Sequence, residues 1–173
     1  MEKVILVDEH DNSIGTMEKM EAHRKGLLHR AFSILIFNSR GEMLIQKRAS
    51  AKYHSGGLWT NACCSHPVDG EPVSETARKR LTHEMGIHVP LDFAYKFIYK
   101  TELDHDLIEH ELDYVFTGVC NGEPAVNPDE VADWKYIDVD SLRHDISVHP
   151  EHYTYWFKAI INHRELASHL GPN

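Results

Sequence analysis

The sequence predicts an α+β fold in which a mixed β-sheet is flanked by helices. Three observations carry that expectation. A nearly all-apolar, β-favouring run, Ala31–Asn38, reads as a central strand buried on both faces. Shorter runs, Met43–Lys47, Phe93–Thr101, Leu112–Val119 and Trp134–Ile137, read as its partners. Two stretches carry apolar residues at helical spacing. Because strand runs and helical patterns alternate without a Pro/Gly/Ser linker, an internal repeat or a low-complexity tract, one domain spanning 1–173 is expected.

In chain order, Val4–Val7 reads as a short strand and Asp8–Gly15 as a turn rich in Asp, Asn and Ser. Asn38-Ser39-Arg40-Gly41 reads as a hairpin turn joining the central strand to Met43–Lys47. A helix is expected from about Ser74 to Met85, capped by Ser74 and ended by Gly86 in a left-handed conformation. Ala77, Leu81 and Met85 recur at i, i+4, i+8 as its core stripe, and Arg80 and Glu84 share a neighbouring face. The last helix is expected to begin near Pro150, with Tyr153, Trp156, Phe157, Ile160 and Ile161 on its apolar side.

Composition narrows the function. At 42% hydrophobic residues the chain can bury a core, which excludes disorder and a disulfide-stapled miniprotein. Asp and Glu outnumber Lys and Arg, 27 to 18, which argues against nucleic-acid and anionic-membrane surfaces while leaving room for a small anionic substrate in a local basic pocket. Cys63, Cys64 and Cys120 form no CxxC pair and cannot all be matched in disulfides, so reduced thiols are expected. The apolar run at Val4–Val7 is too short for a signal peptide and Ile34-Leu35-Ile36-Phe37 is far short of a membrane span; a cytoplasmic protein is expected.

Fourteen histidines raise the prospect of a metal site. His23, His29 and His66 with Glu109 and Glu111 offer three imidazoles and two carboxylates, a set suited to a six-coordinate divalent ion such as Mn²⁺, Fe²⁺, Co²⁺ or Zn²⁺ with one position open. Glu109 and Glu111 stand two apart, so in a strand they share a face while His110 points away. Spacing alone leaves each histidine readable as a solvated or packed residue, and the two glutamates as a solvated strand face. Cys64 reads either as a small buried hydrophobe or as a proton-transfer group whose pKa a nearby cation would lower. Alternation would send Cys63 the other way. Lys19, Arg48, Lys52 and Arg80 read as ordinary surface cations or as a phosphate-binding group, and Trp156 as core or as a π-face for a positive charge.

The run Trp59-Thr60-Asn61-Ala62-Cys63-Cys64-Ser65-His66-Pro67, with Glu109-His110-Glu111 downstream, closely resembles type 1 isopentenyl diphosphate:dimethylallyl diphosphate isomerase, the metal-dependent isomerase of the Nudix superfamily. Val7-Asp8-Glu9-His10-Asp11, Glu18-Lys19 and Arg48-Ala49 extend the likeness over essentially the whole chain. The resemblance implies a Nudix-like mixed sheet between helices and a metal site of His23, His29, His66, Glu109 and Glu111, holding Mn²⁺, Zn²⁺ or a similar ion. It implies that Cys64 and Glu111 transfer protons on opposite faces of the substrate, with Tyr99 hydrogen-bonded to the glutamate. It further implies that Glu84 helps hold Mg²⁺ on the diphosphate, that Lys19, Arg48, Lys52 and Arg80 contact its oxygens, and that Trp156 faces the cationic carbon. No obligate protein partner is implied.

The reaction makes such residues necessary. An unactivated alkene must gain a proton at one carbon and lose one at another, through a carbocation-like state that water would capture. The sequence also departs from the Nudix hydrolase motif G-x5-E-x7-R-E-U-x-E-E-x-G-U, where U is a bulky apolar residue. Its first glycine is Ser65, and of its clustered glutamates only Glu84 survives in Lys79–Ile87. That loss disfavours a hydrolase, which needs the cluster to bind water-activating metals. A noncatalytic metal-binding domain is the other alternative, and Cys64, Glu111, Tyr99 and Trp156 together argue against it.

Overall fold

The structure, a computed structural model, describes residues 2–169. Its centre is β3 (His29–Phe37), whose alternating side chains are buried on both sides. Phe32, Ile34 and Ile36 enter one apolar layer with Leu44, Ala77, Leu81 and Met85. Leu35 enters the other, with Met43, Ile45, Val115, Trp156 and Phe157. A strand covered on both faces reads as a continuous apolar run, and this is why β3 is so clear in the sequence.

Four strands meet the two edges of β3. Along one edge runs β8 (Ile108–Val119), parallel, with His29 opposite Glu111 and Phe37 opposite Val119. β7 (Asp92–Glu102) lies antiparallel outside it. The other edge is shared: β6 (Cys63–Ser65) pairs with Phe32–Ile34, and β4 (Met43–Arg48) pairs with Ile36 and Phe37. β5 (Trp59–Thr60) and β9 (Val131–Ile137) pair with β4. β1 (Lys3–Val7) joins β3 at Leu6 and His29. The sheet is therefore mixed, as expected.

Helix α2 (Val73–Met85) covers the first layer through Ala77, Leu81 and Met85. It starts one residue earlier than predicted, with Pro72 at the N-cap and no side-chain cap, so Ser74 lies within the first turn. Gly86 ends it at φ 64°, as predicted. A Cβ there would stand 2.6 Å from the Ala125 carbonyl oxygen, so both conformation and space require glycine.

Helices α3 (Val139–Val148) and α4 (Tyr155–Ile161) cover the second layer. The final helix begins later than expected. Pro150–His152 is a 3₁₀ turn, Tyr153 is extended, and Thr154 caps α4 by accepting from the Phe157 amide. Pro150 thus opens a helical turn, but one too short to continue. The segment read as a turn over Asp8–Gly15 is also divided. Asp8 closes the turn by accepting from the His10 and Asn12 amides, and β2 (Ser13–Glu18) then pairs back on β1. β2 leads into α1 (Lys19–Lys25), capped by the Glu18 carboxylate and ended at Gly26. Among the described residues, no helix is long and apolar enough to cross a membrane.

Candidate active site

The register of β3 against its neighbours gathers the reactive residues at one end of the sheet. His29 opens β3 directly opposite Glu111 of β8, and Ser33 lies opposite Cys64 of β6. His66 follows β6, and α1 delivers His23, whose side chain is buried. Alternation along β8 sends Glu109, Glu111 and Asp113 to the same face, and all three are buried. His110 points away and meets the Gly26 carbonyl.

Glu111 is the hub. Its Oε1 accepts from the Tyr99 hydroxyl at 2.5 Å, and its Oε2 meets His66 Nε2 at 2.8 Å and His29 Nε2 at 3.0 Å. Burial opposes its charge, but the bonds from His29 and His66 hold its carboxyl well below the usual carboxylate range. Glu109 goes the other way: burial, reinforced by the Glu111 charge, raises it well above that range. The two carboxyls are thus pushed in opposite directions. Burial also works against charge on His66, yet the hydrogen bond with Glu111 and the nearby Glu2 carboxylate outweigh it and lift the ring to about 9. In His23 burial prevails and lowers the ring to about 4.

These residues fit a divalent ion. His23, His29, His66 and Glu111 present ligand atoms within 4.8 Å of one another. His23 Nδ1 donates to the Lys19 carbonyl at 2.7 Å and His29 Nδ1 to the Leu27 carbonyl at 2.9 Å, which leaves Nε2 of each ring for the site. That is the usual outer support of a ligating imidazole. His23 Nε2 and Glu109 Oε2 are buried without a hydrogen-bond partner among the described residues, a costly state that an ion relieves. Glu109 does not share the tight cluster of Glu111. Its ligand oxygen groups with His23 and with His54, a residue the sequence reading did not single out.

A cavity of about 520 Å³ opens beside this cluster, within the usual size of a small-molecule site. Cys64, His66, Glu109, Glu111 and Trp156 line it, as do Lys19, Arg48, Lys52, Arg80 and Glu84. Every predicted phosphate-contacting cation therefore faces one space. The register of β4 shifts between Lys47 and Arg48, ending the regular alternation there. Arg48 reaches to 5.1 Å from the Trp156 ring and 4.0 Å from Cys64 Sγ. The other cations have carboxylate partners: Lys19 with Glu2 at 2.7 Å, Arg80 with Glu84 at 2.5 Å, and Lys52 with Glu130.

The two cysteines separate as alternation requires. Cys63 packs into the α2 layer and Cys64 faces the cavity. The expectation that a cation would lower the Cys64 thiol is not met. Burial pushes it up to about 12, outweighing Arg48, so it is a protonated thiol. Trp156 is packed in the α4 layer and also lines the cavity.

The Nudix domain family matches residues 27–157. "Isopentenyl-diphosphate Delta-isomerase 2" of Aromatoleum aromaticum is 49% identical, covering 93% of this chain and 85% of its own. The protein of the same name from Photorhabdus laumondii is 51% identical over 93% and 91%. The chain belongs to the Nudix family, among the isopentenyl-diphosphate Delta-isomerases. A crystal structure from Deinococcus radiodurans, 17% identical, matches 85% of this chain and 90% of that one with a TM-score of 0.72. A MutT Nudix hydrolase from Burkholderia pseudomallei, 19% identical, matches 78% and 95% with a TM-score of 0.62. These two share the fold alone, so the division between isomerase and hydrolase rests on side chains rather than on architecture.

Beyond His54, sequence reasoning missed Glu2, Tyr53 and Glu130, all of which line the cavity. Glu2 stands 3.7 Å from His66 Nδ1, and the Lys19 ammonium lies 4.2 Å from the Tyr53 ring centre. Nothing in local spacing marks them, since each arrives from a different element.

Proposed function

We propose that this protein interconverts isopentenyl and dimethylallyl diphosphate by adding a proton to one alkene carbon and removing one from another. The observation that carries the reading is a buried carboxylate and a protonated thiol lining one cavity with an indole ring and four cations. Cys64 and Glu111 stand on β6 and β8, the strands on opposite edges of β3, which suits proton exchange on two sides of a substrate.

In the direction that forms the allylic isomer, Glu111 delivers the proton to the terminal alkene carbon, starting from the state in which the proton of the Cys64 thiol has passed to Glu111 and left a thiolate. Tyr99 donates to Oε1, so that oxygen is the one with a proton beside it, while His29 and His66 hold Oε2. The Cys64 thiolate takes the second proton from the substrate, which restores the thiol and the carboxylate, and this pair carries the reverse reaction. Trp156 presents a π-face to the developing positive charge, and its apolar layer helps to exclude water. Arg48, Lys19, Lys52 and Arg80 bind the diphosphate oxygens.

His23, His29, His66, Glu109 and Glu111 would hold an ion such as Mn²⁺ or Zn²⁺, which would supply a fixed positive charge to orient Glu111 and tune its acidity. Glu84 would hold Mg²⁺ on the diphosphate, whose oxygens suit that ion. A single domain spanning 1–173 carries the activity in the cytoplasm, without an obligate protein partner.

The test is the fate of isopentenyl diphosphate incubated with the protein, Mg²⁺ and Mn²⁺ or Zn²⁺. Dimethylallyl diphosphate without released phosphate, abolished by chelator, is expected. Phosphate without the isomer would replace this reading with hydrolysis.

A further inference from the structure

His54 lies in the connection between β4 and β5 and is 2% exposed. Its position is fixed from several sides. The Arg48 guanidinium donates to its carbonyl at 3.2 Å, its Nδ1 meets the Ser55 hydroxyl at 3.0 Å, and its ring stands edge-on to Trp156 with centres 5.6 Å apart. What remains is Nε2, buried and without a hydrogen-bond partner among the described residues. It faces Glu109 Oε2 at 3.9 Å, too far for a hydrogen bond, and that oxygen is also unpartnered.

Three such atoms converge here. Ligand atoms of His54, Glu109 and His23 lie within 4.8 Å of one another. Donors ~2.1 Å from a shared ion stand roughly 3–4.2 Å apart, so little contraction is needed. His23 also belongs to the cluster of His29, His66 and Glu111. Its Nδ1 is committed to the Lys19 carbonyl, leaving only Nε2, and one ring nitrogen serves one ion. A single ion can use that nitrogen together with both clusters only if they close on it as two halves of one site.

We propose that His54 is a further ligand of the divalent ion, giving a set of four imidazoles and two carboxylates. The inference rests on the metal reading of the site given above, and adds a residue to it. Six protein ligands leave no open position, so the ion acts as a fixed charge beside Glu111 rather than as a binding point for substrate or water. Four imidazoles also favour Zn²⁺ or Co²⁺ over Mn²⁺, which prefers oxygen.

The test is titration of the full chain and of His54→Phe with Co²⁺, following absorption and competing with a chromophoric chelator. Phenylalanine fills the space and keeps an edge towards Trp156. The wild type is expected to take one Co²⁺ at this site with the weak visible bands of six-coordination. His54→Phe should bind about tenfold or more weakly, with stronger, shifted bands as the coordination number falls. Its melting temperature without metal should stay near that of the wild type, while the increase produced by Co²⁺ should shrink. If His54→Phe does not fold, His54→Gln takes its place with the same expectations. Unchanged affinity and spectrum would overturn the role of His54 and leave the five-residue site standing. Two ions in the wild type, one lost with His54, would overturn the single-ion arrangement. A wild type that binds no Co²⁺, or binds it equally well after His23→Ala, would overturn the metal reading itself.

Discussion

The two poles of the cavity solve opposite electrostatic problems. At the His/Glu pole, buried rings and carboxyls are crowded, and His23 Nε2, His54 Nε2 and Glu109 Oε2 are left without hydrogen-bond partners among the described residues. At the cation pole, Lys19, Lys52 and Arg80 are already matched by Glu2, Glu130 and Glu84. On the proposed function, the first pole is completed by an ion of positive charge. The second must exchange carboxylate partners for diphosphate oxygens, or share them through a metal. On that reading, one cavity has a fixed end that positions the proton donor and an exchangeable end that grips the substrate.

The largest effects should come from the proton-transfer pair. Glu111→Gln and Cys64→Ala should each keep the fold, measured by circular dichroism, and lower kcat by about 10²–10⁴-fold. Near-normal turnover in either would remove that residue from the chemistry. The His/Glu pole should next show itself in metal affinity. His66 keeps its extra proton up to about 9, and ligation through Nε2 requires its release, so affinity should rise about tenfold per pH unit from near 7 towards that value. A flat pH dependence would contradict the assignment of His66 as a ligand.

The cation pole should respond differently. Arg80→Ala removes a charged partner of the diphosphate and leaves the buried Glu84 without its guanidinium; KM should rise about 10–100-fold with a smaller change in kcat. A fall in kcat alone would move Arg80 from binding to chemistry. The smallest effects contrast the two cysteines. Because burial holds the Cys64 thiol protonated up to about 12, its alkylation by iodoacetamide should be slow near neutral pH and still be accelerating above the ordinary thiol range. Cys63→Ala, confined to the α2 layer, should change turnover by no more than about twofold and lower stability by about 1 kcal/mol. Equal losses in Cys63→Ala and Cys64→Ala would break the distinction between them.

Legibility in the sequence followed burial. β3 is sealed on both faces and was readable from its apolar run, and α2 from Ala77, Leu81 and Met85. β2 was hidden because its edge position leaves Ser13, Ile14, Gly15 and Thr16 exposed, without the alternation that marks a half-buried strand. α3 was hidden because only Leu142 and Ile146 turn inward. Pro150 signalled a helical start that proved to be a single turn. At the site, Glu109 and Glu111 were visible as a pair because strand alternation is local. His54 was not, because its place beside Glu109 depends on how the β4–β5 connection folds back across the sheet. A cation near Cys64 could be imagined from the sequence, but that it is Arg48, and that burial outweighs its charge, are properties of the whole cavity.

The central claim, proton exchange by two groups rather than attack on the diphosphate, is tested most directly by running the reaction in D₂O with proton and phosphorus NMR. Isopentenyl diphosphate should become dimethylallyl diphosphate carrying deuterium in its newly formed methyl group, with both phosphorus signals retained. Unlabelled product would point to a shift within the substrate, and free phosphate without the isomer would point to hydrolysis; either result would contradict the account.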